Sequence, residues 1–394
     1  MRIALFTDTY RPTVNGVARA LGLLVDHADR DGHEVALVTP RVGEEAVARF
    51  HRQLPGPRFP LYPELRACAP LLGAETRARL RRFRPDVVHA ATEAGVGLAG
   101  RRWAARHRAP LVTSFNTLFP EYLHDYRLGF LEGALWAYLR WFHRAAALTV
   151  TPSEWMRGEL ARRGFHRRTA LWSRGVDATL FHPRKRSWPL RRALAPAADV
   201  ILMYVGRIAR EKKVELLLDA FPQIQERTAR RLALVMVGDG PALPELRARD
   251  LPGVHFTGYK HGEELAVHYA SADLFVFPSD TETFGQVVTE AQASGLAAVV
   301  PDRGGVIDTV MPCLTGYRFA PGDATSLARA AAKLVDDPTR RMQMGARARA
   351  AAEQRSWQRV FDDLFGQYAA LVEAGSTGAL SRPRAEVGMA GVPA

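Results

Sequence analysis

The chain has 394 residues, 54 Lys+Arg against 41 Asp+Glu, and a formal net charge of +13. That length suits two domains, and 47% hydrophobic with 24% charged residues excludes wholesale disorder. Two cysteines, Cys68 and Cys313, offer no metal-ligand spacing and no disulfide framework, which fits a reducing compartment.

The N-terminal run MRIALFTDTY carries Asp8 and is too short for a signal peptide. RIALFT reads as a strand. The loop 9-TYRPTVNGVARA-20 follows, with Asn15-Gly16 at a helix start, and helical spacing continues to a stop at Gly32. HEVALVTP, DVVHA (86–90), APLVTSF (109–115) and ALTVTPS (147–153) are further short apolar runs. Separated by helical segments, they imply a parallel sheet covered on both faces. The greasiest stretch, residues 128–150, contains Glu132, Arg140, His143 and Arg144. It reads as one or two amphipathic or buried helices rather than a membrane span. The protein is expected to be soluble and cytoplasmic.

Residues 181–198 are rich in Pro, Ala and basic side chains and read as a linker after a first domain over 1–180. Alternation restarts at 199 with DVILMYVGR, then LALVMVGDG, GVHFTGY, DLFVFPS and LAAVVPD, each followed by a helical segment. From about 323 the chain is helical. The last segment presents Val360, Phe361, Leu364, Tyr368 and Leu371 on one face, a surface able to return to the first domain. A second domain over 199–372 and a disordered tail over 375–394 are expected. The fold class is α/β, with two doubly wound, Rossmann-like domains whose strand ends face one cleft.

Three segments carry candidate chemistry. In 277-FPSDTETFGQVVTEAQASG-295, Glu282 and Glu290 stand eight apart across a helix start, where Phe284, Gly285 and Gln286 offer free backbone N–H groups. This is a site for an anion or a diol, or else a solvated helix face. In 204-YVGRIAREKK-213, Arg207 and Lys212 suit a diphosphate. Arginine-rich surface is the alternative, yet two of the five lysines of the chain sit in this loop. Gly16 lets backbone approach a phosphate or sugar. The loop at Gly16 is not GxGxxG, which disfavours NAD or FAD, and GxxxxGK[ST] and GxSxG are absent, which disfavours a P-loop nucleotide and a hydrolase elbow.

Together, VNGV, SRGVD (173–177), VGRIAREK, VGDGP (237–241), the 277–295 block and TGYRFAPGD (315–323) resemble the family 4 retaining glycosyltransferases. The likeness spans about residues 1–372 and is strongest with the mannosyltransferase-like subgroup that uses lipid acceptors. It implies the GT-B fold and transfer of a hexose from a nucleotide diphosphate sugar to a hydroxyl of a lipid-linked or glycolipid acceptor. GDP-mannose leads as donor; UDP-glucose, UDP-galactose and UDP-sulfoquinovose are alternatives. By resemblance, Arg207 and Lys212 neutralise the departing diphosphate and Glu282 contacts the transferred sugar. Phe284, Gly285 and Gln286 line sugar and phosphate, Glu290 binds the ribose, and Gly16 lies beneath the diphosphate. Tyr259 and Lys260 sit where the base is read. No DxD-type motif stands in a suitable loop, so no metal and no cofactor is expected.

The family pattern has a histidine by the sugar where this chain has Asn116, an amide that bonds but carries no proton. His124 and Asp125 follow as acceptor-side candidates, or as ordinary surface. A GT-B nucleotide-sugar epimerase and a basic nucleic-acid-binding protein are rival readings; no nucleic-acid motif supports the latter. Residues 1–190 hold 30 Lys+Arg and 17 Asp+Glu, whereas 191–394 hold 24 of each. The stretches 77–84, 101–108 and 162–168, with Phe83, Trp103 and Phe165 interleaved, read singly as solvated helix faces or, taken with that asymmetry, as a surface for an anionic membrane at the inner side of the cell membrane.

Overall fold

The computed structural model describes residues 1–13, 15–41, 50–59, 62–125, 127–166 and 168–376. The expected tail therefore lies outside the described residues from 377 onward.

The first domain is built on a seven-stranded parallel sheet. Its spatial order is Phe50–Leu54, Glu34–Pro40, Arg2–Phe6, Val87–Ala90, Leu111–Ser114, Leu148–Thr151, Thr169–Leu171. The second carries a six-stranded parallel sheet. Its order is Val254–Gly258, Leu232–Val237, Val200–Val205, Leu274–Val276, Ala297–Pro301, Gly316–Phe319. The central strands are buried on both faces, as all six residues of Val200–Val205 show, and so read as unbroken apolar runs. The strands without that signature, Phe50–Leu54, Thr169–Leu171 and Gly316–Phe319, are edges of their sheets. In each domain the winding reverses beside the first strand, Arg2–Phe6 or Val200–Val205, which opens a crevice at its carboxyl end. The loops leading to Gly16 and to Lys212 start there.

Residues 181–198 form a 3-10 turn, Pro183–Lys185, and a helix, Trp188–Leu194. Arg186 and Arg191 both reach Asp273 at 2.7 Å, and Phe181 is buried in the second core. The segment is thus packed on the second domain. In the greasy stretch, helix Glu132–Arg144 buries Trp136, Leu139, Phe142 and His143 and leaves its other face in solvent.

The last helix, Trp357–Ser376, crosses back to the first domain. Its Val360, Phe361, Leu364, Phe365 and Tyr368 join Ile3, Leu5, Leu21 and Leu24 in one core. Burial of each large side chain contributes about 1.5–3 kcal/mol. The Tyr368 hydroxyl also meets His89 Nδ1 at 2.6 Å, and His89 Nε2 meets Ser114 Oγ at 2.6 Å.

Candidate active site

The loop after Val200–Val205 ends in a 3-10 turn, Arg210–Lys212, that delivers Lys212 to the cleft. Its ammonium is ion-paired with the Glu282 carboxylate, and both side chains are mostly buried. Burial alone would lower the Lys212 pKa; the Glu282 charge, with Tyr122 and Tyr204 close by, raises it on balance. The lysine is held firmly cationic. Lys213 pairs with Asp280 at 2.7 Å, and Thr281 Oγ1 donates to the Glu211 carbonyl at 3.1 Å, so the two loops are laced together. Arg207 lies 4.0 Å from Glu211, and its carbonyl accepts from Tyr204 Oη at 2.9 Å.

Helix Gln286–Ala293 starts at Gly285, whose φ is +87°. A Cβ there would lie 2.5 Å from Val306 Cγ1, so both conformation and space require glycine. Phe284 is buried beside it. Gln286 Nε2 is buried without a hydrogen-bond partner, a donor aimed at something other than protein. A Cβ on Gly16 would lie 3.9 Å from Gln286 Oε1, so the first domain's glycine loop meets this helix start directly.

One turn further, Glu290 is 3% exposed. Its Oε1 accepts from Arg19 of the first domain at 2.5 Å and its Oε2 from Tyr269 Oη at 3.3 Å. Burial raises its pKa above the ordinary carboxylate value, and Arg19 and Tyr269 offset part of that. It is a carboxylate set to accept hydrogen bonds in a dry pocket. The solvated-face reading does not apply.

Asn116 lies two residues past the strand Leu111–Ser114 and is 7% exposed. Its Nδ2 donates to the Ala91 carbonyl at 2.8 Å, and its Oδ1 accepts from Arg174 at 2.7 Å. Thr283 Oγ1 reaches across the domains to the Asn116 carbonyl at 2.7 Å, and Ser153 Oγ to the Thr283 carbonyl at 2.6 Å. Asn116 thus ties together the loops of Ala91, Arg174 and Thr283 through its amide and its backbone carbonyl. Arg174 is buried among carbonyls, and burial lowers its pKa to about 10. Tyr122, on helix Phe119–Asp125, lies beside Lys212 and Glu282; burial pushes its pKa up to about 12. His124 and Asp125 end that helix, and their side chains lie outside the described residues. Tyr259 is exposed and stacks on His261, and Lys260 pairs with Glu264 at 2.5 Å.

Arg207, Lys212, Glu282, Phe284, Gly285, Gln286, Glu290 and Gly16 therefore converge on one interdomain cleft. Arg19, Tyr122, Arg174 and Tyr269 complete it and were missed. Arg19 and Arg174 stood inside the segments TYRPTVNGVARA and SRGVD, whereas Tyr122 and Tyr269 lay outside those segments. One surface expectation is corrected. Trp103 and Phe165 are buried and Phe83 is half-buried, because these aromatics fill the first-domain core behind the arginines.

Two facing Rossmann-like sheets with a cation–carboxylate cleft between them define the GT-B fold. Residues 14–180 match the model for Glycosyltransferase Family 4, and 189–351 that for Glycosyl transferases group 1. A GDP-mannose-dependent alpha-mannosyltransferase of Mycolicibacterium smegmatis is 37% identical over 94% of this chain and 98% of its own. A sulfoquinovosyl transferase of Arabidopsis thaliana is 33% identical over 91% and 71%. Sucrose-phosphate synthase from Thermosynechococcus elongatus superposes with a TM-score of 0.76, at 22% identity over 95% and 100%. The Anabaena HepE protein in complex with UDP-glucose does so at 0.72, with 20% identity over 94% and 100%. The chain belongs to glycosyltransferase family 4 and is a glycosyltransferase.

Proposed function

We propose that the protein transfers mannose from GDP-mannose to a hydroxyl of a lipid-linked or glycolipid acceptor, with retention of configuration and without a metal ion. The observation that carries this reading is the Lys212–Glu282 pair facing the helix start at Gly285. Together they provide a cation for a leaving diphosphate, a carboxylate for the sugar and free N–H groups between them. When the donor enters, its diphosphate takes over Lys212 and its sugar hydroxyls take over Glu282. As the glycosidic bond breaks, negative charge grows on the leaving oxygen. Preorganised cations stabilise that charge best in a closed cleft. Glu290 accepts from the ribose hydroxyls in place of Arg19, and Asn116 holds the loop beneath the sugar.

The mannosyltransferase relative, similar over nearly its whole length, supports GDP-mannose. The sulfoquinovosyl transferase relative supports a UDP-sugar as the second reading. Thermal-shift titration with GDP, UDP and ADP separates them, since a ligand that binds the native state raises the melting temperature by mass action. GDP is expected to give the largest rise; a larger rise with UDP overturns the donor assignment.

The acceptor side rests on a surface of the first domain. Among the described residues no helix is long and apolar enough to cross a membrane. Helix Glu132–Arg144 and the turn before it instead expose Phe130 (80%), Leu131 (41%) and Trp141 (48%). Arg127, Arg140 and Arg144 are exposed around them, and Arg101 stacks over Trp141 at 3.8 Å. An apolar face rimmed by arginine fits an anionic bilayer surface, where each basic residue contributes about 1 kcal/mol.

A further inference from the structure

We propose that His27, Asp31 and Asp362 form a structural site for a divalent transition-metal ion of the zinc class, pinning the last helix to the first. His27 lies on helix Gly16–Arg30 and Asp31 directly follows it. Asp362 projects from Trp357–Ser376, which has crossed back from the second domain. The His27 ring is fully buried between Phe361 and Phe365, at centroid distances of 5.1 and 5.3 Å.

Its Nε2 lies 3.2 Å from Asp31 Oδ2 and 3.4 Å from Asp362 Oδ1. Yet neither ring nitrogen makes a hydrogen bond. The oxygens are near enough for one but lie off the N–H direction. A buried imidazole nitrogen left unpaired beside two carboxylates is an expensive arrangement for protein alone. It is the arrangement of a coordination shell. Ligand bonds of about 2.0–2.1 Å place neighbouring donor atoms roughly 3.3 Å apart around a tetrahedral ion, with the ion on the imidazole axis and the oxygens to its sides.

The three donor atoms all lie within 4.8 Å of one another, and two carboxylates match the double charge. One imidazole and two carboxylates select zinc-like ions over magnesium, which prefers an all-oxygen shell. Asp31 and Asp362 are 38% and 51% exposed, so the ion would enter from solvent and keep water in its remaining position. The same first helix begins at Gly16 and carries Arg19 in the cleft, so the clasp fixes the element that meets the donor site.

The test uses the full chain stripped with a chelator and titrated with zinc chloride, followed by calorimetry and by melting temperature. The expected result is one saturable equivalent with micromolar or tighter affinity, and a rise of a few degrees in melting temperature. Asp362→Asn and Asp31→Asn alter exposed side chains, and each is expected to weaken binding at least tenfold and to abolish the rise. Absence of saturable binding by the native chain, or equal binding by both variants, would overturn the site. Both readouts are independent of turnover, so they stand apart from the donor assignment.

Discussion

In the proposed mechanism Lys212 is the residue on which the chemistry turns. Its charge is secured by Glu282 before any substrate arrives, so it enters the reaction already ionised. Lys212→Ala is expected to lower kcat on the order of 10²–10³-fold, as removal of one preorganised stabiliser does elsewhere. Glu290 predicts a pH dependence. In its proposed role it accepts ribose hydrogen bonds most strongly when ionised, and its pKa lies above the usual 4.5 because it is buried. The donor KM is therefore expected to rise on acidification at a pH above the ordinary glutamate range, and a KM–pH profile checks it. A profile flat down to 4.5 would contradict the role. Asn116 is a different case. Both its polar atoms are committed to Ala91 and Arg174, so Asn116→Ala leaves buried groups unpaired. A loss of about 1–3 kcal/mol in unfolding free energy is expected, read by denaturant titration. Residue identities at the site were legible where a loop follows a strand and a helix begins. The role of Arg19 was not, because its partner Glu290 is 271 positions away and nothing local marks the contact.

At the scale of elements, apolar runs marked the central strands, whereas three edge strands escaped. Phe50–Leu54 contains His51, Arg52 and Gln53, since an edge faces solvent and needs no continuous apolar run. The segment over 181–198 looked like a linker because its order comes from Arg186 and Arg191 meeting Asp273, a long-range contact. The last helix showed its apolar face plainly, and its anchor is polar. Tyr368 bonds to His89, whose pKa burial lowers from 6.5 to about 3. Between those values the unfolded chain binds a proton that the folded chain excludes, so stability falls as pH drops from 6.5 toward 3. The slope from this group is at most about 1.4 kcal/mol per pH unit. His89→Gln is expected to flatten it, as measured by unfolding at several pH values. An unchanged slope would show that His89 is not the group responsible.

Across the whole molecule, the excess charge lies in the half that carries the exposed Phe130–Trp141 face. Composition located that asymmetry, but not the face, because buried and exposed aromatics look alike until helices are packed. Phe130→Ser with Trp141→Ser is expected to reduce sedimentation with anionic vesicles severalfold while leaving nucleotide binding intact. Binding that persists in the double variant, or that ignores lipid charge, would place the membrane contact elsewhere. The second half is neutral, and in the proposed mechanism its working cations are Arg207 and Lys212. The most direct measurement of the central claim is transfer of label from GDP-[¹⁴C]mannose into the lipid fraction, with chelator present, by the native chain and by Lys212→Ala. The account predicts label in lipid for the native chain and a loss on the order of 10²–10³-fold for the variant. No transfer from GDP-mannose, or equal transfer by both chains, would contradict it.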